Sequence, residues 1–399
     1  MNGQGIQALD ERYIAHTYAR APFVIERGEG LMVYDSEGKG YLDFVSGIAV
    51  NALGYGDPDV LQAIQDQASR LIHISNLYCT APQALLGEKL VGASGFADKV
   101  YLCNSGAEAV EAAIKFSRKF AVQAGQPQRT EFLAFDNGFH GRTMGALALT
   151  PRAHYQDPFR PLMPGAKFAP FNNLEAAEAL LDVNTCACIV EPVQGEGGVN
   201  LADGRFLQGL RQICTERGIL LVFDEIQCGL GRTGALWAHQ PYGVVPDIMT
   251  LAKPLGGGLP IGAALLNADV AAVVQPGDHG STFAANPVIC AVAQVVLEKI
   301  SQPAFLAAVE SNGEYLGARL QELKQKFADI VEIRGRGLIW GIECSDDVAP
   351  IVSAAYTAGL LTCKAGTNVL RLLPPLVVDR PAIDKAVGII GECMSRVRG

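Results

Sequence analysis

Two side chains set the chemical question. Lys253 stands in Thr-Leu-Ala-Lys-Pro-Leu-Gly-Gly-Gly at 250–258, and Asp224 closes the apolar run Ile-Leu-Leu-Val-Phe-Asp at 219–224. Each follows a short apolar run, so two buried strands would deliver an amine and a carboxylate to one place. An amine that can form an imine, beside a carboxylate that can keep a pyridine nitrogen protonated, is the pair that pyridoxal phosphate chemistry requires. Neither residue decides the matter alone. Most lysines are solvated, and an Asp after a strand also serves as a helix N-cap.

Other segments carry groups of the same kind. Asn104-Ser-Gly-Ala-Glu-Ala109 opens a helical stretch. A glycine-containing turn there would offer free N–H groups and a positive dipole end to a phosphate. The same letters fit a capping box, with Ser105 at the N-cap and Glu108 three residues on. Phe139-His-Gly-Arg142 offers an aromatic face for a ring and a guanidinium for a carboxylate, or a surface loop. His140 on its own reads as a hydrogen-bonded loop histidine. Glu191-Pro-Val-Gln-Gly-Glu196 puts two carboxylates beyond a strand, in a site or in a solvated turn, and Gln227 closely follows Asp224. In Gly280-Ser-Thr-Phe-Ala-Ala-Asn-Pro287, the hydroxyls of Ser281 and Thr282 could hold a phosphate or cap the next helix. Gly335-Arg-Gly-Leu-Ile-Trp-Gly341 lacks the GxGxxG spacing and opens a strand, which argues against a dinucleotide site.

The elements that must position these groups follow from the apolar pattern. The chain has 399 residues, 49% of them hydrophobic, enough for two or three domains with a large core. Residues 31–34 and 41–44 read as short strands about a turn at 36–39. Farther on, apolar runs at 100–103, 132–135, 187–190, 219–223, 248–251 and 261–266 alternate with helical patterns such as 105–124, 174–182 and 203–217. That alternation predicts an α/β fold with a mostly parallel sheet covered on both faces. A helix follows near 287–300, and residues 303–399 read as helix, strands and helix. The expected division is 1–60, a large α/β domain at 61–294, and 295–399. The two terminal parts would fold together as a smaller α+β domain.

Composition excludes several classes. A net charge of −9 and the absence of a basic run argue against nucleic acid as a partner. Ten cysteines without a CxxC read as reduced, mostly buried thiols, and Cys186-Ala-Cys188 reads as strand rather than a metal pair. Six histidines form no ligand spacing, so no metal is expected. Asp10, Glu11 and Arg12 do not suit a secretory signal, and no charge-free apolar stretch is long enough to span a membrane. The expected setting is the cytoplasm.

The order and joint presence of these motifs, from about Tyr18 to Leu376, closely resemble the class-III pyridoxal-phosphate aminotransferases. This fold-type-I subgroup includes the acetylornithine, ornithine and 4-aminobutyrate enzymes. The resemblance implies a role for each matching residue. Lys253 would hold the cofactor covalently and then move the proton, while Asp224 would pair with the ring nitrogen. Gln227 would bond the ring hydroxyl. Gly106 and Ala107, with Ser105 nearby, would bind the phosphate, and Phe139 would stack on the ring. Thr282 would reach the phosphate of a neighbouring subunit in a homodimer, with Ser281 beside the substrate. Arg142 would bind a substrate carboxylate. Arg371 would be a second, switchable arginine, masked by Glu196 in one half-reaction and open to a dicarboxylate in the other. Ile48, where ornithine enzymes carry Tyr, and the segments 195–199 and 364–376 look most like acetylornithine aminotransferases and their lysine-pathway relatives. The expected reaction moves the terminal amino group of an acylated diamino acid to 2-oxoglutarate, in arginine or lysine biosynthesis. Ornithine or 4-aminobutyrate transamination, an aminomutase or decarboxylase of the same family, and a non-catalytic binding relative are the alternatives. The chain departs from the family pattern at Tyr55-Gly-Asp57, Ala107, Pro254 and Ala284-Ala285. None of these removes a chemical group the reaction needs.

Overall fold

The apolar runs become the strands of one sheet. The computed structural model describes residues 3–398. In chain order the strands are β1 (Lys99–Cys103), β2 (Glu131–Phe135), β3 (Ala166–Ala169), β4 (Thr185–Val190), β5 (Leu220–Asp224), β6 (Ile248–Leu251) and β7 (Gly262–Leu266). They lie side by side as β1-β7-β6-β5-β4-β2-β3. Pairing is parallel except at β7, which runs antiparallel to both of its neighbours. Strands β4 to β7 are buried at every residue, which is why their sequences show no polar alternation. Cys186 and Cys188 lie inside β4, as the strand reading required.

Alternate residues of each strand feed two cores. Phe132, Ala134, Val222, Ile248 and Ala264 pack with helix α1 (Gly106–Gln123), whose buried residues Val110, Ala113, Ile114 and Phe116 fall at helical spacing. Leu133, Phe135, Leu221 and Phe223 face the other way, onto Leu207, Leu210 and Cys214 of helix α2 (Gly204–Arg217). With both faces covered, the functional residues gather beyond the carboxyl ends of the parallel strands.

The two ends of the chain share a sheet. Hairpin strands Met32–Asp35 and Gly40–Asp43 are joined by Leu360–Leu361, which pairs in parallel with Leu42 and Asp43. A second small sheet contains Ile330–Arg336, Ile339–Cys344, Val369–Leu372 and Cys363–Ala365, in that order. Helices Pro303–Lys326 and Arg380–Arg398 pack beside it. The tail holds one helix more than the pattern predicts, Ala349–Thr357, which connects the second sheet to Leu360–Leu361. The edge strand β3 was also not foreseen. Its four residues, Ala-Lys-Phe-Ala, are mostly half-buried and carry a lysine, so they give no apolar run.

Candidate active site

One cavity collects Gly106, Ala107, Phe139, Glu196, Asp224, Gln227 and Lys253, along with His140, Gly141, Glu191 and Ile226. These residues come from the loops after β1, β2, β4, β5 and β6. Seven of the expected site residues therefore face one space, although they are scattered along the sequence.

Asp224 is the last residue of β5 and is almost wholly buried. No helix follows it, so the N-cap alternative does not apply, although its Oδ1 accepts the Ile226 N–H at 3.1 Å. Its Oδ2 meets His140 Nδ1 at 2.7 Å. Burial disfavours charge on His140, but the adjoining Asp224 carboxylate, with Glu191 behind it, outweighs that and raises the imidazole pKa. Glu191 is buried as well and accepts the Phe139 N–H at 3.0 Å. Burial, reinforced by Asp224, pushes its pKa up to about 7 despite the opposing pull of His140.

Lys253 begins the turn after β6 with φ +37°, a left-handed conformation that is rare for a side-chain-bearing residue. Its amine makes no hydrogen bond among the described residues. Burial lowers its pKa, against the attraction of Glu196 and with Arg371 adding to the fall. A lysine in this state has a larger neutral, nucleophilic fraction than a solvated one.

The turn after β1 is capped as the sequence allows. Ser105 Oγ accepts the Glu108 N–H at 3.2 Å. Glu108 reaches back to the N–H of Asn104 at 2.6 Å, one residue beyond the usual box. The cap takes the Glu108 N–H and not those of Gly106 and Ala107, so capping and anion binding are compatible here. A Cβ on Gly106 would lie 2.9 Å from two carbons of Ile226, so glycine is what lets the backbone come this close.

Arg371, from the second small sheet, is outside the cavity lining but is buried and pairs with Glu196, which does line it, at 2.6 Å. The same nitrogen donates to Gly195 O at 3.0 Å and to Gln227 Oε1 at 3.1 Å, and its Nε has no partner among the described residues. Burial would raise the Glu196 pKa, but Arg371 prevails and holds it below the usual value. Gln227 also donates to Glu196 at 3.2 Å, so its amide is engaged with this pair. Arg142 is exposed and lies over the ring of Tyr155, 3.4 Å from its centroid, and 5.7 Å from that of Phe139. Ser281 accepts a hydrogen bond from Asn104 at 2.9 Å. Thr282 is exposed and stands outside the cavity lining. Neither hydroxyl caps the helix Pro287–Ile300, because Asn286 does.

These residues fit pyridoxal phosphate. Two N–H groups open an 18-residue helix for the phosphate, Phe139 and Ile226 supply apolar walls for a flat ring, a carboxylate stands ready for the ring nitrogen, and an amine without a partner faces the same cavity. Sequence reasoning placed His140 in a loop and left the solvated-turn reading of Glu191 open. The signal that separates them from loop residues is tertiary, since His140 meets Asp224 across 84 positions. Tyr155 and Arg152 were not singled out at all.

Comparison with known proteins agrees with this geometry. The family model described as "Aminotransferase class-III" matches residues 13–394. The mitochondrial acetylornithine aminotransferase of Alnus glutinosa is 50% identical over 388 residues, covering 96% of this chain and 86% of that protein. The acetylornithine aminotransferase of Clostridium acetobutylicum is 45% identical, covering 96% and 99%. Among solved structures, the ornithine aminotransferase of Toxoplasma gondii ME49 superposes with a TM-score of 0.95 at 34% identity, covering 99% of this chain and 95% of that one.

Proposed function

This chain belongs to the class-III aminotransferase family, and we propose that it moves the terminal amino group of N2-acetylornithine, or a close acyl analogue, to 2-oxoglutarate. It is a pyridoxal-phosphate-dependent transaminase of fold type I. The donor comes from the names of its relatives and from the shape of one problem. A single site must accept an amine with one carboxylate and then a keto acid with two.

One observation carries the reading. Arg371 is buried behind Glu196, which lines the cavity, and its charge is met by that carboxylate at 2.6 Å. With that pair closed, the inner wall is neutral and suits a donor whose reacting end bears only an amine. If Glu196 turns away, Arg371 becomes a bare guanidinium opposite Arg142, and the two grip a dicarboxylate.

When bound, the cofactor supplies an electron sink that lets an amino group be exchanged for a carbonyl oxygen. The protein's own groups do the rest. Asp224, backed by His140, would keep a proton on the ring nitrogen. The Nζ of Lys253, freed from protein partners, would carry the proton between carbons. Gly106 and Ala107 would hold the phosphate, Phe139 the ring face, Arg142 the donor carboxylate, and Ser281 would sit at the substrate's edge.

A homodimer completes this reading. Leu77 is 83% exposed, Phe283 67% and Tyr78 62%. The segment that holds Leu77 and Tyr78 is tied to the Thr282 loop by Asn76, which donates to Ala284 O at 3.0 Å. An apolar surface around Thr282 supports a second copy lying there, with Thr282 reaching its phosphate site. The setting we propose is cytoplasmic, in amino-acid biosynthesis of the arginine type.

The test is a half-reaction on the purified holoenzyme. Acetylornithine, ornithine, 4-aminobutyrate and glutamate are added singly, and loss of the cofactor's visible absorption is followed. Fast conversion by acetylornithine and glutamate alone supports the reading. Conversion by ornithine as fast as by acetylornithine would replace it with the ornithine enzyme.

A further inference from the structure

We propose that Glu111 is a positioning residue for Arg142: from helix α1, it fixes the backbone that carries that guanidinium. This rests on the substrate role proposed above for Arg142 and deepens it. Glu111 itself would touch neither substrate nor cofactor.

A short helix, Met144–Ala148, follows Arg142 almost at once, and its N-cap residue Thr143 makes no side-chain cap. The first turn of a helix leaves N–H groups without partners, and the cap residue normally supplies an acceptor for those two and three positions on. Here the acceptor comes from another element. Glu111, in the second turn of α1, accepts the N–H of Gly145 at 2.9 Å and that of Ala146 at 3.1 Å, both on Oε1. The same oxygen accepts the Thr143 hydroxyl at 2.5 Å. Thr143, which would ordinarily be the acceptor, is thus a donor. Glu111 forms no ion pair among the described residues, and its side-chain hydrogen bonds there all run to residues 143–146.

Two glycines seat this segment on α1. A Cβ on Gly145 would strike Glu111 Oε2, so glycine is what lets the carboxylate reach the backbone. A Cβ on Gly141, where φ is +135°, would lie 2.9 Å from the Cβ of Ala107. Ala107 and Glu111 are four residues apart on one face of α1, and the two glycines they meet are four residues apart as well. Arg142 lies between those glycines.

The span is also held from its other end. The His140 N–H donates to Thr150 Oγ1 at 2.9 Å, and the wholly buried Thr150 hydroxyl donates in turn to Ala146 O at 3.1 Å. The His140 ring is tied to Asp224. Arg142 therefore rides on a short stretch of chain fixed at His140 before it and at Thr143 after it. Without Glu111 the second of those points is released, and the guanidinium loses its fixed origin while keeping its charge.

The experiment measures binding of glutarate, a dicarboxylate without the keto group, to the holoenzyme by calorimetry. Glu111→Ala should weaken binding by roughly fivefold to tenfold. In an Arg142→Ala background the same change should move Kd by less than about twofold, because the group it positions is gone. Glu111→Gln, whose amide oxygen can still accept, should stay within about threefold of the wild type. Thr143→Val, at an exposed position, removes one of the three bonds and leaves the carboxylate in place. It should show a smaller loss that also vanishes beside Arg142→Ala, and it decides the matter if Glu111→Ala does not fold. In turnover, KM for glutamate and for 2-oxoglutarate should rise together while kcat changes little. Equal losses in the two backgrounds, or no loss in either single variant, overturn the proposal. If Arg142→Ala itself leaves glutarate binding unchanged, the substrate role of Arg142 fails and the positioning role goes with it.

Discussion

His140 and Asp224 meet Nδ1 to Oδ2 at 2.7 Å, with both side chains almost completely shielded from water. The acid that faces the cavity thus has fixed behind it a histidine whose charged form that carboxylate favours. The hydrogen bond sets the plane of the carboxylate and leaves its other oxygen to the Ile226 N–H. Orientation and charge balance are supplied by one neighbour from another loop.

Removing that neighbour should be expensive. His140→Ala leaves Asp224 buried with no cationic partner, and breaking such a pair costs about 3–5 kcal/mol. Chemical denaturation of the cofactor-free protein should show a midpoint well below that of the wild type. The variant should also lose cofactor more readily on dialysis.

Glu191 makes the stability depend on pH. Its folded pKa is raised to about 7 from an ordinary value of 4.5, so between these the folded state binds more protons than the unfolded one. Stability therefore falls as pH rises through that window. The raised pKa of His140 acts in the same direction, being fully stabilising below its unfolded pKa and losing effect as pH climbs past its folded one. Glu191→Gln can still accept the Phe139 N–H but has no charge to bury. It should match the wild type below about pH 4.5, gain on it up to about pH 7 and keep a constant lead above that, a difference that denaturation curves at several pH values would reveal.

Lys253→Ala should remove turnover, by at least about 10³-fold, because no other amine lines the cavity to move the proton. The fold should survive, since a buried amine without a partner contributes no hydrogen bond to lose. A melting temperature within a few degrees of the wild type, beside the lost rate, is the expected pair of results. Substantial residual transamination would sink the central assignment.

Glu196→Ala should separate the two half-reactions. Arg371 would stand unmasked throughout, so donors with a single carboxylate should convert more slowly while 2-oxoglutarate is still accepted. Arg142→Ala should instead raise KM for both, since in the proposed reading both substrates would use that guanidinium. Single-turnover rates from each side would distinguish the patterns.

Much of this was legible in the chain itself. The strand runs near 187, 219, 248 and 261 are buried on both faces, and burial writes a continuous apolar signal, while those near 100 and 132 are buried toward their carboxyl ends. The helix at 287–300 has its proline at the first turn and Asn286 before it. What could not be read has physical reasons. Strand direction leaves no mark on composition, so the reversal at β7 was invisible. The edge strand β3 is too short and too polar to stand out. Among the site residues, those at strand ends were recognisable by position. The His140 to Asp224 contact and the stacking of Arg142 on Tyr155 depend on loops whose paths only the folded chain defines.

The reversal at β7 acts as a fixed gauge inside the enzyme. The chain leaves Lys253, turns, and re-enters the sheet at Gly262, which is paired with Cys103 next to the turn we propose for the phosphate. A Cβ on Gly262 would strike Ser105 O, so this strand meets the turn backbone against backbone. The spacing between Lys253 and the Ser105–Gly106 turn is thus locked to ladder register, in which a slip of one residue would turn every side chain of the strand over. Loops at the opposite edge of the sheet can lengthen or shorten without altering that spacing. The segment 254–261 cannot, and insertions there should be far less tolerated than elsewhere on the surface.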